Sequence, residues 1–159
     1  MIVVEIEIAK KPFAETTILG RVGDHDVTLQ SEAWLARRSV IAGTIDNGPV
    51  ELTATGRLFG NQDLQGEMPL GQTKLSIEFH RRRVQVSGEV GADAIALTID
   101  RSMLKPFSIF ADDGFAAVHL EMSKRLKSGE LTGEVVRPVD AFVIAAISPT
   151  LLAIFDRRA

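Results

Sequence analysis

Hydrophobic and polar residues alternate over short stretches along most of the chain. Near its start, Val4, Ile6 and Ile8 alternate with Glu5 and Glu7. Alternation with a period of two is typical of a β-strand with one buried face. The first 138 residues are therefore predicted to be strands.

A repeat of 22 or 23 residues organises these strands. Each copy has a glycine, an apolar residue two positions later, a turn, and a β-branched residue seven positions after the glycine. Gly20, Gly43, Gly66 and Gly88 begin four copies. Counted from the β-branched position, six units begin at Val4, Val27, Val50, Thr73, Ile95 and Val118. Turn residues mark the joints at 23–24, 46–49, 91–93 and 112–114. Six hairpin units predict about twelve strands.

The C-terminal part of the chain has a different pattern. Residues 141–155 carry no charge and no polar face, and a helix of this kind must be buried on all sides. A membrane span needs about 20 residues, so the segment predicts a core helix over 139–157 with Asp140 as its cap. Pro149 either kinks this helix or, with Ser148 as its cap, begins a second one.

The pattern as a whole predicts an all-β fold with one C-terminal helix. About twelve antiparallel strands would close into a barrel with an opening about 12 Å wide after side chains. An α-helix with its side chains is about as wide, so the helix would fill the barrel. A β-solenoid of six rungs is the alternative, but its cap would need a polar face. We expect a single domain, with strands in 1–138 and the central helix in 139–157.

Four segments carry a resemblance to a known group. Leu-Thr-Gly-Glu-Val-Val at 131–136 precedes the aliphatic segments 140–147 and 151–156, and 112–120 contains an Asp-Gly hairpin. This end of the chain resembles the tubby C-terminal-like superfamily, in particular its LURP-one-related and phospholipid scramblase-like group. The resemblance implies a twelve-stranded barrel threaded by a hydrophobic helix. Scrambling activity is not implied, because the chain has no cysteine cluster and no proline-rich N-terminal segment.

Composition excludes several classes of protein. With 159 residues, 45% hydrophobic and 25% charged, the chain is typical of a globular domain rather than a disordered one. The absence of cysteine excludes thiol catalysis and thiolate zinc sites. The N-terminus has no basic stretch before an apolar one, so we expect a cytoplasmic protein. The net charge of −3 argues against a general nucleic-acid binder.

The charges segregate by their position in the repeat, and we expect one rim of the barrel to be basic. Six windows after the first strand of each unit contain 13 of the 18 basic residues and one acid, Glu15. These basic residues are Lys10, Lys11, Arg37, Arg38, Arg57, Arg81, Arg82, Arg83, Arg101, Lys105, Lys124, Arg125 and Lys127. The joints hold Asp24, Asp26, Asp46, Glu67, Glu89, Asp93, Asp112, Asp113 and Glu134, against Arg21 and Arg137.

Large apolar residues such as Trp34 and Phe59 lie between these cations in the sequence. The mixture suits an anionic phospholipid or phosphoinositide surface, so we expect a peripheral lipid-headgroup binder. A basic rim of solvated turns, a single-stranded nucleic acid, and a structural or regulatory protein-interaction module are the alternatives.

Catalytic and metal-binding signals are weak. The histidines His25, His80 and His119 are in different units and lack metal-ligand spacing. Asp24-His25-Asp26 and 112–114 are accounted for by turn chemistry. We therefore expect no enzyme, no cofactor and no metal, and a monomer as the working form.

Overall fold

The computed structural model describes residues 2–10, 15–34, 38–56, 61–81, 83–100, 107–111, 117–123 and 128–156. The strands are β1 (Ile2–Lys10), β2 (Glu15–Val22), β3 (His25–Trp34), β4 (Arg38–Ile45), β5 (Gly48–Gly56), β6 (Gln62–Met68), β7 (Gly71–Phe79), β8 (Arg83–Val90), β9 (Asp93–Asp100), β10 (Phe107–Ala111), β11 (Ala117–Ser123) and β12 (Ser128–Val135). Helix α1 (Pro138–Asp156) follows. The predicted class, antiparallel β-structure with one C-terminal helix, is confirmed.

Strand pairing follows the order of the chain from β1 to β12. β1 pairs with β2 and also with β12, from Ile2 opposite Val135 to Ala9 opposite Ser128. All these pairs are antiparallel, whereas the rungs of a β-helical solenoid stack in parallel. The solenoid alternative is therefore wrong.

In the strands whose side chains are described, one face supplies the hydrophobic core. In β5, Val50, Leu52 and Ala54 are buried while Glu51 between them is exposed. The buried strand residues form one cluster with the apolar side chains of α1. The alternation of the sequence therefore corresponds to a core face and a solvent face, as predicted.

The four joints that the structure describes, at 23–24, 46–47, 69–70 and 91–92, are two-residue turns. Asp46 and Asn47 have φ values of 51° and 63°, the left-handed conformation that a type I′ hairpin turn requires at both positions. Gly23 and Gly91 also have positive φ, at 62° and 59°. The predicted turns are confirmed at 23–24, 46–47 and 91–92, whereas Gly48, Pro49 and Asp93 already belong to the following strands. The predicted turn at 112–114 lies outside the described residues.

The repeated glycine allows neighbouring strands to approach closely. At Gly66 φ is 154°, and a Cβ atom there would overlap the carbonyl oxygen of Glu51 on β5. Gly20 in β2 meets the backbone of β1 in the same way. A glycine inside a strand often marks such an approach, which gives a physical reason for the glycine of the repeat.

Helix α1 is enclosed over its first half. Residues 139–148 are each at most 4% exposed, whichever side of the helix they lie on. The helix begins at Pro138, one residue before the predicted start at 139. Proline suits the first helical position because its missing N–H would have no partner there. Residue 157, the predicted end, lies outside the described residues.

α1 continues through Pro149 without interruption. Proline cannot donate a backbone hydrogen bond to the carbonyl four residues earlier, which is that of Ala145. Ser148 Oγ donates to this same oxygen at 2.7 Å. The buried hydroxyl thus takes the place of the missing N–H, and the two-helix alternative is wrong.

Asp140 is the third residue of α1, so its predicted position as the cap is wrong. Its carboxylate, 1% exposed, accepts hydrogen bonds from Arg137, with Nε to Oδ2 at 3.0 Å and Nη2 to Oδ1 at 2.8 Å. Arg137 Nη2 also donates to the Ala94 carbonyl of β9 at 2.9 Å. Arg137 therefore ties the beginning of the helix to the sheet.

Two glutamates oppose each other across β1 and β12, where Glu7 faces Glu130 in register and both are exposed. Directly opposed like charges destabilise a sheet. We expect Glu130→Gln to raise the free energy of unfolding by about 0.5 kcal/mol in urea denaturation. Glu134, which faces Val3 on the same strand pair, provides the control. An equal increase in the free energy of unfolding for Glu134→Gln would show that overall charge causes the effect, and would contradict this prediction.

Candidate anion-binding surface

The antiparallel strands give the sheet two ends, for which the sequence predicts different charges. The odd-numbered strands finish at the end where the even-numbered strands begin. We call this the cation-rich end; its described residues include Arg38, 79–81, Arg83 and Asp100. The acidic end lies opposite and includes the turns between β2 and β3, β4 and β5, β6 and β7, and β8 and β9, together with the start of α1.

Three of the predicted basic residues are described with their side chains. Arg38 begins β4, Arg81 follows β7, and Arg83 begins β8, and all three are exposed. Lys10 is the last residue of β1. Outside the described residues lie Lys11, Arg37, Arg57, Arg82, Arg101, Lys105, Lys124, Arg125 and Lys127.

Arg81 and Arg83 share the connection between β7 and β8. Because β4 and β8 are four strand spacings apart in the sheet, Arg38 is about 20 Å from this connection along the sheet. The structure therefore brings two of the predicted residues together and keeps the third apart.

Hydrogen bonds hold the backbone on both sides of this connection. His80 N donates to the Arg83 carbonyl at 2.9 Å. Phe79 N donates to Asn61 Oδ1 at 3.1 Å, and the half-buried Phe79 side chain packs against the core. The two arginines therefore project from an anchored hairpin.

The arginines described at this end are not neutralised by a carboxylate within the described part of the chain. Among these residues, Arg38, Arg81 and Arg83 form no ion pair within 4.0 Å. The nearby Glu78 has its Oε2 atom 3.6 Å from His80 Nε2. Asp100 is the residue directly opposite Arg83 in the pairing of β8 with β9.

At the acidic end, the described arginines have carboxylate partners and the carboxylates outnumber them. Both arginines described there are paired, Arg21 Nε with Asp26 Oδ1 at 3.3 Å and Arg137 Nη2 with Asp140 Oδ1 at 2.8 Å. The other acids described at this end are exposed: Asp24, Asp46, Glu67, Glu89, Asp93 and Glu134. The predicted acids Asp112 and Asp113 lie outside the described residues. The acidic end therefore keeps an excess of carboxylates.

His25 connects the acidic end to the helix. Its Nδ1 atom is 2.9 Å from Asp46 Oδ2, and its ring meets the Phe142 ring of α1 edge to face, with centroids 5.5 Å apart. In the described ranges, no group of three or more His, Asp or Glu residues converges on a possible metal position. The histidine thus contacts the turn and the helix start.

Comparison with protein-family models, curated proteins and solved structures found no match. The resemblance to the tubby C-terminal-like superfamily stays a prediction. Within the residues that the structure describes, no helix is both long enough and apolar enough to cross a membrane.

Sequence reasoning missed two residues beside the arginines, Asn61 and Asp100. A signal for Asp100 was present, because counting outward from the turn between β8 and β9 places Arg83 opposite Asp100. Asn61 had no such signal, since its bond to Phe79 reaches 18 residues along the chain.

Proposed function

We propose that this protein is a non-enzymatic binding module for the anionic headgroups of phospholipids, including phosphoinositides. The observation that carries the proposal is the unequal pairing of arginines at the two ends. Arg21 and Arg137 at the acidic end have carboxylate partners, whereas Arg38, Arg81 and Arg83 have no ion pair among the described residues. Exposed cations without an internal partner are available to an external anion.

The chemistry of arginine favours phosphate as that anion. The planar guanidinium donates parallel hydrogen bonds that match two oxygens of a phosphate group. A basic side chain near an anionic membrane contributes about 1 kcal/mol to binding. The thirteen basic residues predicted for the cation-rich end would together favour peripheral attachment to an anionic membrane.

The proposal includes a closed barrel of about twelve strands, built from six hairpin units and filled by α1. The pairing of β1 with both β2 and β12 supports closure. The burial of 139–148 on all sides of the helix supports a filled interior. In such a body the ligand would contact the rim, because α1 occupies the space inside.

We include membership of the tubby C-terminal-like superfamily, in its LURP-one-related group, in this proposal. The order of elements supports it, because antiparallel strands precede a single apolar helix. Of the four segments that carry the resemblance, 131–136 forms the end of β12 with the residue after it, and 140–147 is in the enclosed part of α1.

Sedimentation with vesicles tests the proposed function. We expect the protein to sediment with vesicles of phosphatidylserine and phosphatidylcholine at about 0.05 M salt and to be released at about 0.5 M, because salt screens exposed charges. Vesicles of phosphatidylcholine alone are the control and should not bind it. Absence of binding to anionic vesicles at low salt would contradict the proposal and favour the protein-interaction module.

A further inference from the structure

An acidic residue is opposite the arginine hairpin in the strand register at the cation-rich end. Arg83 begins β8 and Asp100 ends β9, and the two are directly opposite in the antiparallel pairing. Both are exposed. Side chains of directly opposed residues start about 4.5–5.5 Å apart at Cβ, so the carboxylate is near the guanidinium, although the two form no ion pair within 4.0 Å.

Two other described carboxylates near the hairpin have partners of their own. Glu78 is next to His80, at 3.6 Å between Oε2 and Nε2. Asp63 accepts a hydrogen bond from Ser76 Oγ at 3.1 Å. Asp100 is thus the acid whose register position opposes one of the hairpin arginines.

We propose that Arg81 and Arg83 form a binding site for the phosphate group of a lipid headgroup, and that Asp100 competes with this phosphate for Arg83. The inference rests on the proposed function and adds a residue that weakens the binding. Arg81 has no opposed acid in the register and binds without this competition.

The competition follows from the charges. An anion that approaches Arg83 is attracted by the guanidinium and repelled by the Asp100 carboxylate beside it. Each exposed charge near an anionic membrane changes affinity by about fivefold. Removing the Asp100 charge should therefore raise the affinity for anionic vesicles severalfold. High salt should reduce this gain in affinity.

The strand that carries Asp100 also provides its matched control. Asp93 and Asp100 are the first and last residues of β9, and both are exposed. Asp93 is at the acidic end, so Asp93→Asn removes the same charge far from Arg81 and Arg83. We expect Asp100→Asn to raise the affinity for phosphatidic acid vesicles about threefold, with Asp93→Asn close to wild type. Equal affinities for the two variants would overturn the proposal.

A double substitution tests whether Arg83 mediates the effect. In an Arg83→Gln background, Asp100→Asn should give a clearly smaller gain than in the wild type, because the two residues are coupled. The same threefold gain in both backgrounds would show that Asp100 acts on the membrane without Arg83 and would overturn the competition.

Inorganic phosphate distinguishes a phosphate site from general attraction to a charged surface. At equal ionic strength, phosphate should displace the protein from vesicles more effectively than chloride does, and Arg81→Gln with Arg83→Gln should remove the difference. Equal displacement by the two salts would contradict a phosphate site. If wild-type protein does not bind anionic vesicles at all, the proposed function itself fails, an outcome that is separate from these results.

Discussion

A chain that ends at residue 137 should not fold cooperatively. Among the α1 residues whose side chains are described, six large apolar ones are buried: Val139, Phe142, Val143, Ile144, Ile147 and Leu151. Burial of each contributes about 1.5–3 kcal/mol, so their sum is about as large as the 5–15 kcal/mol that stabilises a typical domain. We expect thermal denaturation followed by circular dichroism to lose its cooperative transition.

A point substitution tests the same role of α1 without shortening the chain. Ile144→Asp would place a carboxylate at a fully buried position, which strongly destabilises a fold when no partner is present. Val136, 47% exposed just before the helix, is the control, and Val136→Asp should be tolerated. A cooperative transition near the wild-type temperature in Ile144→Asp or in the shortened chain would contradict a structural role for α1.

Replacing Arg81, Arg82 and Arg83 together with serine should reduce affinity for anionic vesicles by about 100-fold. The estimate follows from about 1 kcal/mol for each cation near an anionic membrane. The melting temperature should stay close to that of the wild type, because exposed charges contribute little to folding. Sedimentation and thermal denaturation measure the two effects separately.

A single substitution at each end provides the control for this prediction. Arg21 is exposed at the acidic end and already paired with Asp26, so Arg21→Ser should leave vesicle binding nearly unchanged. Arg81→Ser should weaken binding severalfold. Equal effects of Arg21→Ser and Arg81→Ser would contradict the assignment of binding to the cation-rich end.

Local patterns made the strands and most of their turns predictable. Alternation with a period of two identifies the buried positions of β1 and β5. The pattern can be recognised from neighbouring residues in the sequence alone. The turn at 46–47 is equally local, because Asp and Asn tolerate positive φ. The repeat therefore carried enough information for the class of fold and for the antiparallel order of neighbouring strands.

Contacts between distant parts of the chain were not predictable in the same way. No turn joins β1 to β12, so the opposition of Glu7 and Glu130 had no local signal. The sequence of α1 has no polar face from which its orientation in the core could be predicted. The hydrogen bond from Arg137 to the Ala94 carbonyl spans 43 residues, so it also had no local signal. The sequence allows Ser148 as the cap of a second helix, whereas its hydroxyl donates to a carbonyl inside a single helix.

The candidate site was predictable only as a distribution of charge. Counting basic residues by repeat position identified Arg38, Arg81 and Arg83. It did not separate paired cations from unpaired ones, because the pairs of Arg21 and Arg137 depend on side-chain geometry. The opposing Asp100 was overlooked because the count considered the ends of the repeat units and not the register between strands.

The most direct test of the account asks which end of the protein faces the lipid. Because the chain has no cysteine, a single cysteine can carry an environment-sensitive fluorophore at a chosen position. Thr55 near the cation-rich end and Ala92 at the acidic end are both exposed, so Thr55→Cys and Ala92→Cys form a matched pair. On binding to anionic vesicles, we predict a blue shift for the label at position 55 and none at position 92. The reverse pattern, or equal shifts at both positions, would contradict binding through the cation-rich end.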